Sequence, residues 1–327
     1  MTTSKPTTRE VRRYWHDMRE RGSKLLEYKA LISKRYRTPQ GYRDHADVAL
    51  DIITVCYVLM SSKILSNISN FTERITCYLT SNLIASQAPV YWVSEKLLES
   101  ILETELPQQV VIDHLQRSIR FATIILPKDK VYTPDNEEIT YLSFEHYLTG
   151  DEVPAITTGK ISITVQRPDS NGVMFFSITK EGTAYASNIE LSYETPKDSE
   201  FNLSDSLSKL DSENNPKEAE QQFLETLRNI VLQSLLIMQS RPNLLEMGQP
   251  VGFGGVTKSG KTSLLNQLLN PNWIGRNYQP PRVRVDLGGT HASPRTHWRR
   301  GHTRLVAYGK GRTERRPHWI EPVLVNG

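Results

Sequence analysis

The sequence predicts an α+β protein with a helical N-terminal part, a central antiparallel sheet with packed helices, and a small basic β-rich C-terminal module. Apolar residues recur at helical spacing between positions 46 and 86 and again between 218 and 240. Between residues 159 and 193 they alternate with polar ones, as in antiparallel strands. Cations are concentrated at the two ends, with 12 Lys/Arg against 5 acids in residues 1–44 and 11 against 2 in residues 276–316.

These patterns divide the 327 residues into four regions. We expect a helical N-terminal region (1–86), an α+β region with an antiparallel meander (87–194), an acidic linker or mobile loop (195–217), and a helix followed by the basic C-terminal module (218–327). The 195–217 segment contains too few large apolar groups to offset the entropy of ordering it.

The N-terminal region begins with an amphipathic segment, Arg9–Arg37, whose mixed apolar and charged residues predict a helix with a basic face. A buried two-helix hairpin is predicted over residues 46–86, with a break between 61 and 70. Its expected core residues are Leu50, Ile53, Val58, Leu59 and Ile75.

The second region begins with a short predicted strand, Pro89–Val93, and Ser94 is placed to cap a helix from Lys96 to Glu103. The alternation of Ile161, Ile163 and Val165 predicts one strand of the meander. A turn is expected at Asp169–Gly172, followed by strands through Val173 and Leu191. The helix 218–240 presents an apolar stripe that we expect to pack against this sheet; its members are Phe223, Leu227, Ile230, Val231, Ser234, Leu235 and Met238.

Composition excludes several classes of protein. The longest apolar stretch, residues 52–60, is far shorter than the roughly 20 residues of a membrane span, and the N-terminus lacks the apolar core of a signal peptide. Cys56 and Cys77 are too few for a disulfide framework. We therefore expect a soluble, cytoplasmic protein.

One motif points to nucleotides. Gly255, Gly260, Lys261 and Thr262 match the fixed positions of a phosphate loop, G-x-x-x-x-G-K-[ST]. The preceding segment is a poor strand, however, and the 65 residues that follow are Arg-rich and contain only three acids. A flexible Gly/Lys/Ser-rich loop explains the same residues, so the phosphate loop remains an alternative and no cofactor is expected.

The C-terminal module combines cations, aromatic rings and imidazoles, and Arg outnumbers Lys ten to one over residues 276–316. Guanidinium groups form forked bonds to phosphates, and aromatic rings stack on unpaired bases. We therefore predict a nucleic-acid-binding surface, with binding of an acidic protein as the alternative. Its expected contact residues are Arg295, His297, Arg299, Arg300, Gly301, His302, Arg304, Tyr308, Arg312 and Trp319.

The imidazoles suggest two further chemistries. His297 and His302 flank two arginines, an arrangement compatible with a metal-independent ribonuclease that uses one imidazole as base and the other as acid. A zinc site from His291, His297, His302 and His318 lacks Cys, Asp or Glu at ligand spacing and lies among cations. We expect no metal, and binding rather than turnover.

At these same residues the chain resembles a known family. His297-x-Arg299-Arg300-Gly301-His302, then Tyr308-Gly-x-Gly311, Trp319, Pro322 and Val325-Asn326, are similar to the C-terminal signature of phage and plasmid proteins whose best-described branch is the type V-A anti-CRISPR family. The resemblance implies a translation-dependent inhibitor. Such a protein recognises the nascent N-terminal polypeptide of the type V-A effector nuclease and lowers the level of its messenger RNA.

The resemblance thus implies two partners: an RNA or ribosome–nascent chain complex, and the N-terminal peptide of a target protein. A looser likeness extends to residues 270–275 and 89–106. Thr303 departs from the signature, because the family usually has an aromatic residue there, and the phosphate-loop motif is no part of the family pattern.

Overall fold

A computed structural model gives the structure of the chain and confirms the α+β class. It describes residues 35–52, 71–86, 88–105, 115–151, 156–158, 161–163, 171–191, 218–249, 268–284 and 297–326. Within these ranges lie four helices and a seven-stranded mixed sheet, together with smaller sheets of two and three strands. No helix in the described ranges is long and apolar enough to span a bilayer.

The chain forms two compact units, each assembled from separate stretches of sequence. The first comprises Met1–Trp92, Ile119–Glu190 and Met247–Asn272, and the second comprises Val93–Ser118, Leu191–Glu246 and Trp273–Gly327.

The helices and strands are numbered in chain order. The helices are α1 (45–52), α2 (Phe71–Ser86), α3 (Glu95–Leu102) and α4 (Glu218–Ser240). The strands up to the long helix α4 are β1 (Arg35–Tyr36), β2 (Val90–Val93), β3 (Thr104–Glu105), β4 (Phe121–Ile125), β5 (Tyr141–Tyr147), β6 (Ile156–Thr158), β7 (Ile161–Ile163), β8 (Asn171–Ile178) and β9 (Ala184–Leu191). Those after it are β10 (Leu245–Glu246), β11 (Leu268–Leu269), β12 (Asn272–Ile274), β13 (Arg282–Arg284), β14 (His297–Arg299), β15 (Gly301–Tyr308), β16 (Glu314–Ile320) and β17 (Val323–Asn326).

The first unit is built on the main sheet, in which its strands follow the order β12-β2-β4-β5-β8-β9. Strands β2 and β4 are parallel, whereas β4–β5 and β5–β8 are antiparallel, with Phe144 opposite both Ala122 and Phe175. Every residue of β2, β5 and β8 is buried. Strands buried on both faces contain continuous apolar runs, which explains the Val90–Val93 and Val173–Phe176 segments. Antiparallel pairs are therefore present in this sheet, but the sheet as a whole is mixed. Strand β7, predicted from Ile161 and Ile163 to be one strand of the meander, instead pairs with β6 in a separate two-stranded sheet.

Gly172 shows why the predicted turn at Asp169–Gly172 was placed too late. Asn171 and Gly172 already lie in β8, and a Cβ on Gly172 would lie 2.0 Å from the hydroxyl oxygen of Tyr147. That hydroxyl donates to Oδ1 of Asn188 at 3.0 Å. The glycine makes room for a buried aromatic side chain inside a strand, a role that resembles a turn signal in sequence.

Helix α2 covers this sheet, packing against β4, β5 and β8. Its Ile75 and Leu79 are buried, which confirms the helix and one of the predicted core residues, whereas Leu50 in α1 is partly exposed. Arg35–Tyr36, expected at the end of an amphipathic helix, instead pairs as a strand with β11. Several predicted features lie outside the described residues, namely residues 9–34 of the amphipathic segment, the core residues Ile53, Val58 and Leu59, the strand position Val165 and the 195–217 segment.

The second unit is organised around helix α4, which packs against α3 and β16. The predicted α4 stripe is buried as expected, and residues 230–238 are buried on all sides, as in a helix at the centre of a core. The sequence pattern assigned α4 to the central sheet, and this was wrong: α2 covers that sheet, while α4 packs within the second unit.

Local signals define α3 as the sequence predicted. The Ser94 hydroxyl accepts a hydrogen bond from the backbone N–H of Leu97 at 3.3 Å, and Leu97 and Ile101 are buried. At the other end, Nδ2 of Asn229 in α4 donates to the carbonyl oxygens of Ile101 and Thr104, each at 3.3 Å. An α4 side chain thus binds one carbonyl in the last turn of α3 and one in the adjoining strand β3.

Candidate nucleic-acid interface

Most of the predicted contact residues lie in the second unit, on an antiparallel hairpin formed by β15 and β16. The register places Thr303 opposite Trp319, Arg304 opposite His318 and Tyr308 opposite Glu314. Because successive side chains of a strand point to opposite faces, the hairpin has two chemically distinct faces. We call one the inner face (Gly301, Thr303, Leu305, Pro317 and Trp319, with the exposed Ala307 and Arg315 toward the end of the hairpin). The other is the outer face, whose members are His302, Arg304, Val306, Tyr308, Glu314, Arg316, His318 and Ile320.

Trp319 anchors the inner face. Its side chain is fully buried, with its ring centroid 5.8 Å from that of Tyr278 and 6.0 Å from the guanidinium carbon of Arg241. Arg241, directly after α4, donates from its guanidinium to the carboxylate of Glu321. The indole offers no exposed surface on which a base could stack, so Trp319 acts here as the attachment of the hairpin to α4.

Gly301 owes its identity to a close approach of three segments. A Cβ at this position would lie 2.6 Å from Oγ1 of Thr104, 2.8 Å from the carbonyl oxygen of Ile320 and 2.8 Å from Cδ of Pro322. Strand β3 pairs with β15 here, with Gly301 opposite Thr104. Only a residue without a side chain fits, so this predicted contact residue has a packing role.

The outer face exposes cations and an aromatic ring. His302, Arg304 and Arg316 are exposed, Tyr308 retains 49% of its accessible surface, and His318 is partly buried. The guanidinium carbon of Arg316 lies 4.5 Å from the centroid of the Tyr308 ring, within the range of a cation–π contact. Residues 301–320 contain five Lys/Arg and one acid, so this stretch has a formal charge of +4.

The end of the hairpin projects into solvent, since every residue from 307 to 316 is exposed. We call these ten residues the tip. Gly309 and Gly311 each have φ of +79°, which glycine adopts without steric cost, and Arg312 has φ of +54°. These left-handed positions explain the Tyr308-Gly-x-Gly311 spacing, and they expose Lys310 and Arg312 on a tight turn.

The pKa of His318 is sensitive to burial and to the charges around the outer face. Burial lowers the pKa of its imidazole below the ordinary value for histidine. Three guanidinium groups lower this pKa further, those of Arg241, Arg304 and Arg316, and the carboxylate of Glu321 opposes them. Because burial and these cations both lower the pKa of His318, its imidazole is mainly neutral at pH 7.

The preceding strand β14 belongs to a different sheet, where it pairs antiparallel with β17, and β17 pairs in parallel with β13. His297 lies opposite Val325 and Arg299 opposite Val323. Arg299 and Arg300 are exposed, between the two sheets along the chain. The side chain of His297 lies outside the described residues, so the paired-imidazole ribonuclease hypothesis stays a prediction.

Several other predicted residues also lie outside the described ranges, namely Arg295, His291 and the phosphate-loop residues Gly255, Gly260, Lys261 and Thr262. Among the residues that the structure describes, no group of three or more His, Cys, Asp or Glu side chains could hold a metal ion.

The sequence prediction omitted Arg316 from the contact residues and considered His318 only as a zinc ligand. The alternation of residues along Glu314–Ile320 indicates both, because Arg316 and His318 point to the face opposite that of Trp319. Arg241 and Tyr278 left no comparable signal, since they are distant in sequence.

Tyr278 is buried against Trp319 of the inner face. Burial raises the pKa of its phenol to about 12, a hydrogen bond with Ser100 opposes the increase, and the smaller effects of Glu321 and Arg241 raise and lower it respectively. The phenol therefore stays protonated over the whole physiological range. We assign it to packing against Trp319.

Comparison with known proteins places these features in a family. A model of the AcrVA2-like family, described as the anti-CRISPR type V subtype A2 family, matches residues 91–327, well over half of the chain. Among solved structures, the chain is similar to one described as the crystal structure of AcrVA2, with 14% identity, 98% of this chain and 97% of that chain covered, and a TM-score of 0.39. No curated protein matches.

Proposed function

The chain belongs to the AcrVA2-like family of type V anti-CRISPR proteins, and we propose that it exerts its anti-CRISPR function on the expression of its target. In this proposal it binds the nascent N-terminal polypeptide of a target protein, a type V Cas effector, together with the RNA being translated. Binding lowers the amount of that messenger. The protein acts by binding, and message loss follows from the complex it forms.

The observation that supports RNA contact is the hairpin with one buried and one cationic face. Trp319 fixes the inner face in the core, so the outer face is held in place before any ligand arrives. Arg304 and Arg316 are exposed there beside the Tyr308 ring. Preordered cations next to an aromatic ring suit a flexible, single-stranded RNA, since the protein loses little conformational entropy on binding.

The proposal has a measurable electrostatic consequence. If about five cations neutralise RNA phosphates, the logarithm of affinity should fall with the logarithm of salt concentration at a slope of about −3.5 for a single strand. Replacing two contacting arginines should make that slope shallower by about 1.4. An inhibitor that binds only protein would show no salt-dependent affinity for RNA.

The first experiment measures RNA binding by the intact protein and by an Arg299→Ala/Arg300→Ala variant across a salt titration, with the integrity of the RNA checked in the same samples. We expect steep salt dependence for the wild type, a shallower slope for the variant, and uncleaved RNA. Cleavage of the RNA would favour the His297/His302 ribonuclease alternative. Absence of binding would refute RNA contact and favour a protein partner.

The second experiment tests nascent-peptide recognition in cells that express a type V-A effector. Two messages are compared that differ only by compensating frameshifts around the first codons, so that the RNA is nearly identical and the N-terminal peptide differs. We expect the protein to lower only the message that encodes the natural peptide. Equal loss of both messages would show that the peptide is not read.

A further inference from the structure

We infer that Arg304, Arg316 and His318 form a phosphate site that takes a phosphodiester of single-stranded RNA, while the Tyr308 ring stacks on a neighbouring base. This inference rests on the proposed function and specifies where and how the RNA is held. It adds two residues, Arg316 and His318, to the predicted contact surface. The term phosphate site is used below for Arg304, Arg316 and His318.

Strand register brings the three side chains together. Arg304 of β15 lies directly opposite His318 of β16, and Arg316 lies two residues before His318 on the same face. Directly opposed residues have Cβ atoms about 5 Å apart, and same-face neighbours along a strand recur about every 7 Å. The three residues thus occupy adjacent positions on one face, and both guanidinium groups are close enough to lower the pKa of the His318 imidazole.

The charges of the phosphate site are not neutralised from within the hairpin. The carboxylate of Glu321, which is close enough to influence His318, is engaged by Arg241. Within the ranges that the structure describes, neither Arg304 nor Arg316 forms an ion pair. Glu314 lies on the same face, two residues before Arg316 and opposite Tyr308. Because neither arginine is engaged by a carboxylate in the described ranges, an anionic ligand can bind both without first breaking an ion pair.

The neighbouring ring favours RNA over an acidic peptide. Arg316 contacts the Tyr308 ring at 4.5 Å, and the ring remains about half exposed. Guanidinium forks match the paired oxygens of a phosphate, and the aromatic ring supplies a surface for a base next to it. A carboxylate ligand would use the cations but would leave the ring without a role.

Protonation of His318 provides a spectroscopic readout of the phosphate site. The charged groups that influence this imidazole are Arg241, directly after α4, Arg304 from β15, Arg316 from β16 and Glu321. His302 and Glu314 share the outer face with it. Burial and then these cations lower the pKa of His318, so a phosphate bound among the cations should raise that pKa by offsetting their positive potential. Affinity for RNA should accordingly increase as the pH falls through that pKa, because the protonated imidazole adds a donor and a charge.

The test uses the full chain and a twelve-residue oligouridine as probe, with binding followed by fluorescence anisotropy. Arg304→Gln and Arg316→Gln should each make the salt slope shallower by about 0.7 and weaken binding about fourfold at 0.15 M salt. Tyr308→Leu should weaken binding roughly 5- to 140-fold with an unchanged salt slope, because stacking does not release counterions. Arg276→Gln is the matched control, since Arg276 is an exposed arginine outside the hairpin that pairs with Glu246 at 2.6 Å.

The NMR titration of the histidine side chains gives an independent readout. Oligouridine should raise the pKa of His318 in the wild type, and the increase should disappear in Arg304→Gln/Arg316→Gln. Arg316→Lys, which retains the charge but loses the guanidinium fork, should keep the salt slope and bind more weakly. Circular dichroism of each variant verifies that the hairpin remains folded.

The outcomes separate this inference from the proposed function. If the wild type does not bind oligouridine, RNA contact fails and the phosphate site fails with it. If the wild type binds with a steep salt slope that Arg304→Gln and Arg316→Gln leave unchanged, the RNA lies elsewhere and only the phosphate site is overturned. If an oligoglutamate of equal charge competes as well as oligouridine, the site recognises an acidic protein and the inference is refuted.

Discussion

Replacement of Trp319 by alanine should destabilise the protein rather than remove an RNA contact. The indole is fully buried between Tyr278 and Arg241, so its loss combines a lost transfer free energy with a cavity that neighbouring groups fill only in part. Truncations of this kind cost about 3–5 kcal/mol. With a denaturant dependence of about 2 kcal/mol per M, the urea midpoint of the second unit should fall by about 1.5–2.5 M.

The assay is urea unfolding followed by circular dichroism, which does not depend on the removed fluorophore. Tyr308→Ala serves as the comparison, because this exposed side chain should change stability by no more than about 0.5 kcal/mol. Trp319→Phe, which keeps most of the apolar volume, should bind RNA as the wild type does under conditions where both are folded. A Trp319→Ala protein with an unchanged midpoint and lost RNA binding would refute the assignment of Trp319 to packing.

Three further perturbations test other parts of the second unit. Gly301→Ala introduces a Cβ 2.6 Å from Oγ1 of Thr104 and should cost about 1–3 kcal/mol in thermal or urea unfolding; an unchanged midpoint would contradict the close approach. Ser94→Ala removes the hydroxyl that caps α3 and should cost about 1 kcal/mol, whereas Ser94→Asp should retain most of the stability. Because the pKa of His318 is lowered in the folded chain, the free energy of unfolding should fall as the pH falls below about 6.5. His318→Gln should reduce this loss of stability. If the wild type and the variant show parallel pH–stability profiles, His318 is not the cause.

In the proposed mode of RNA binding, the inner face of the hairpin attaches it to the core and the outer face contacts the RNA. Substitutions on the inner face should alter stability, and those on the outer face should alter affinity with little change in stability. Family membership supplies the anti-CRISPR role, while the residue-level division follows from the strand register and the burial of Trp319. Variants can therefore be chosen that lose RNA binding without losing the fold.

Local sequence determined much of the secondary structure. Ser94 and the spacing of Leu97, Leu98 and Ile101 predicted α3 within one residue at each end, and the apolar stripe predicted α4. The signature also contains physical information: Gly301 marks a close approach, and Gly309 and Gly311 mark left-handed turn positions. Such features depend on a few neighbouring residues, so a single sequence reveals them.

Tertiary structure alone decided which of these residues face solvent. Composition grouped Trp319 with the arginines as a contact residue, but the strand register turns it toward Tyr278 and leaves Arg316 and His318 on the exposed face. Gly172 resembled a turn residue because its function, making space for Tyr147, depends on a strand 25 residues earlier in the chain. The partner of α4 was likewise unavailable from its own stripe, since a stripe specifies that a face is buried and not against what. Both compact units combine distant stretches of sequence, and pairing between such stretches is determined by packing of the whole chain rather than by any local pattern.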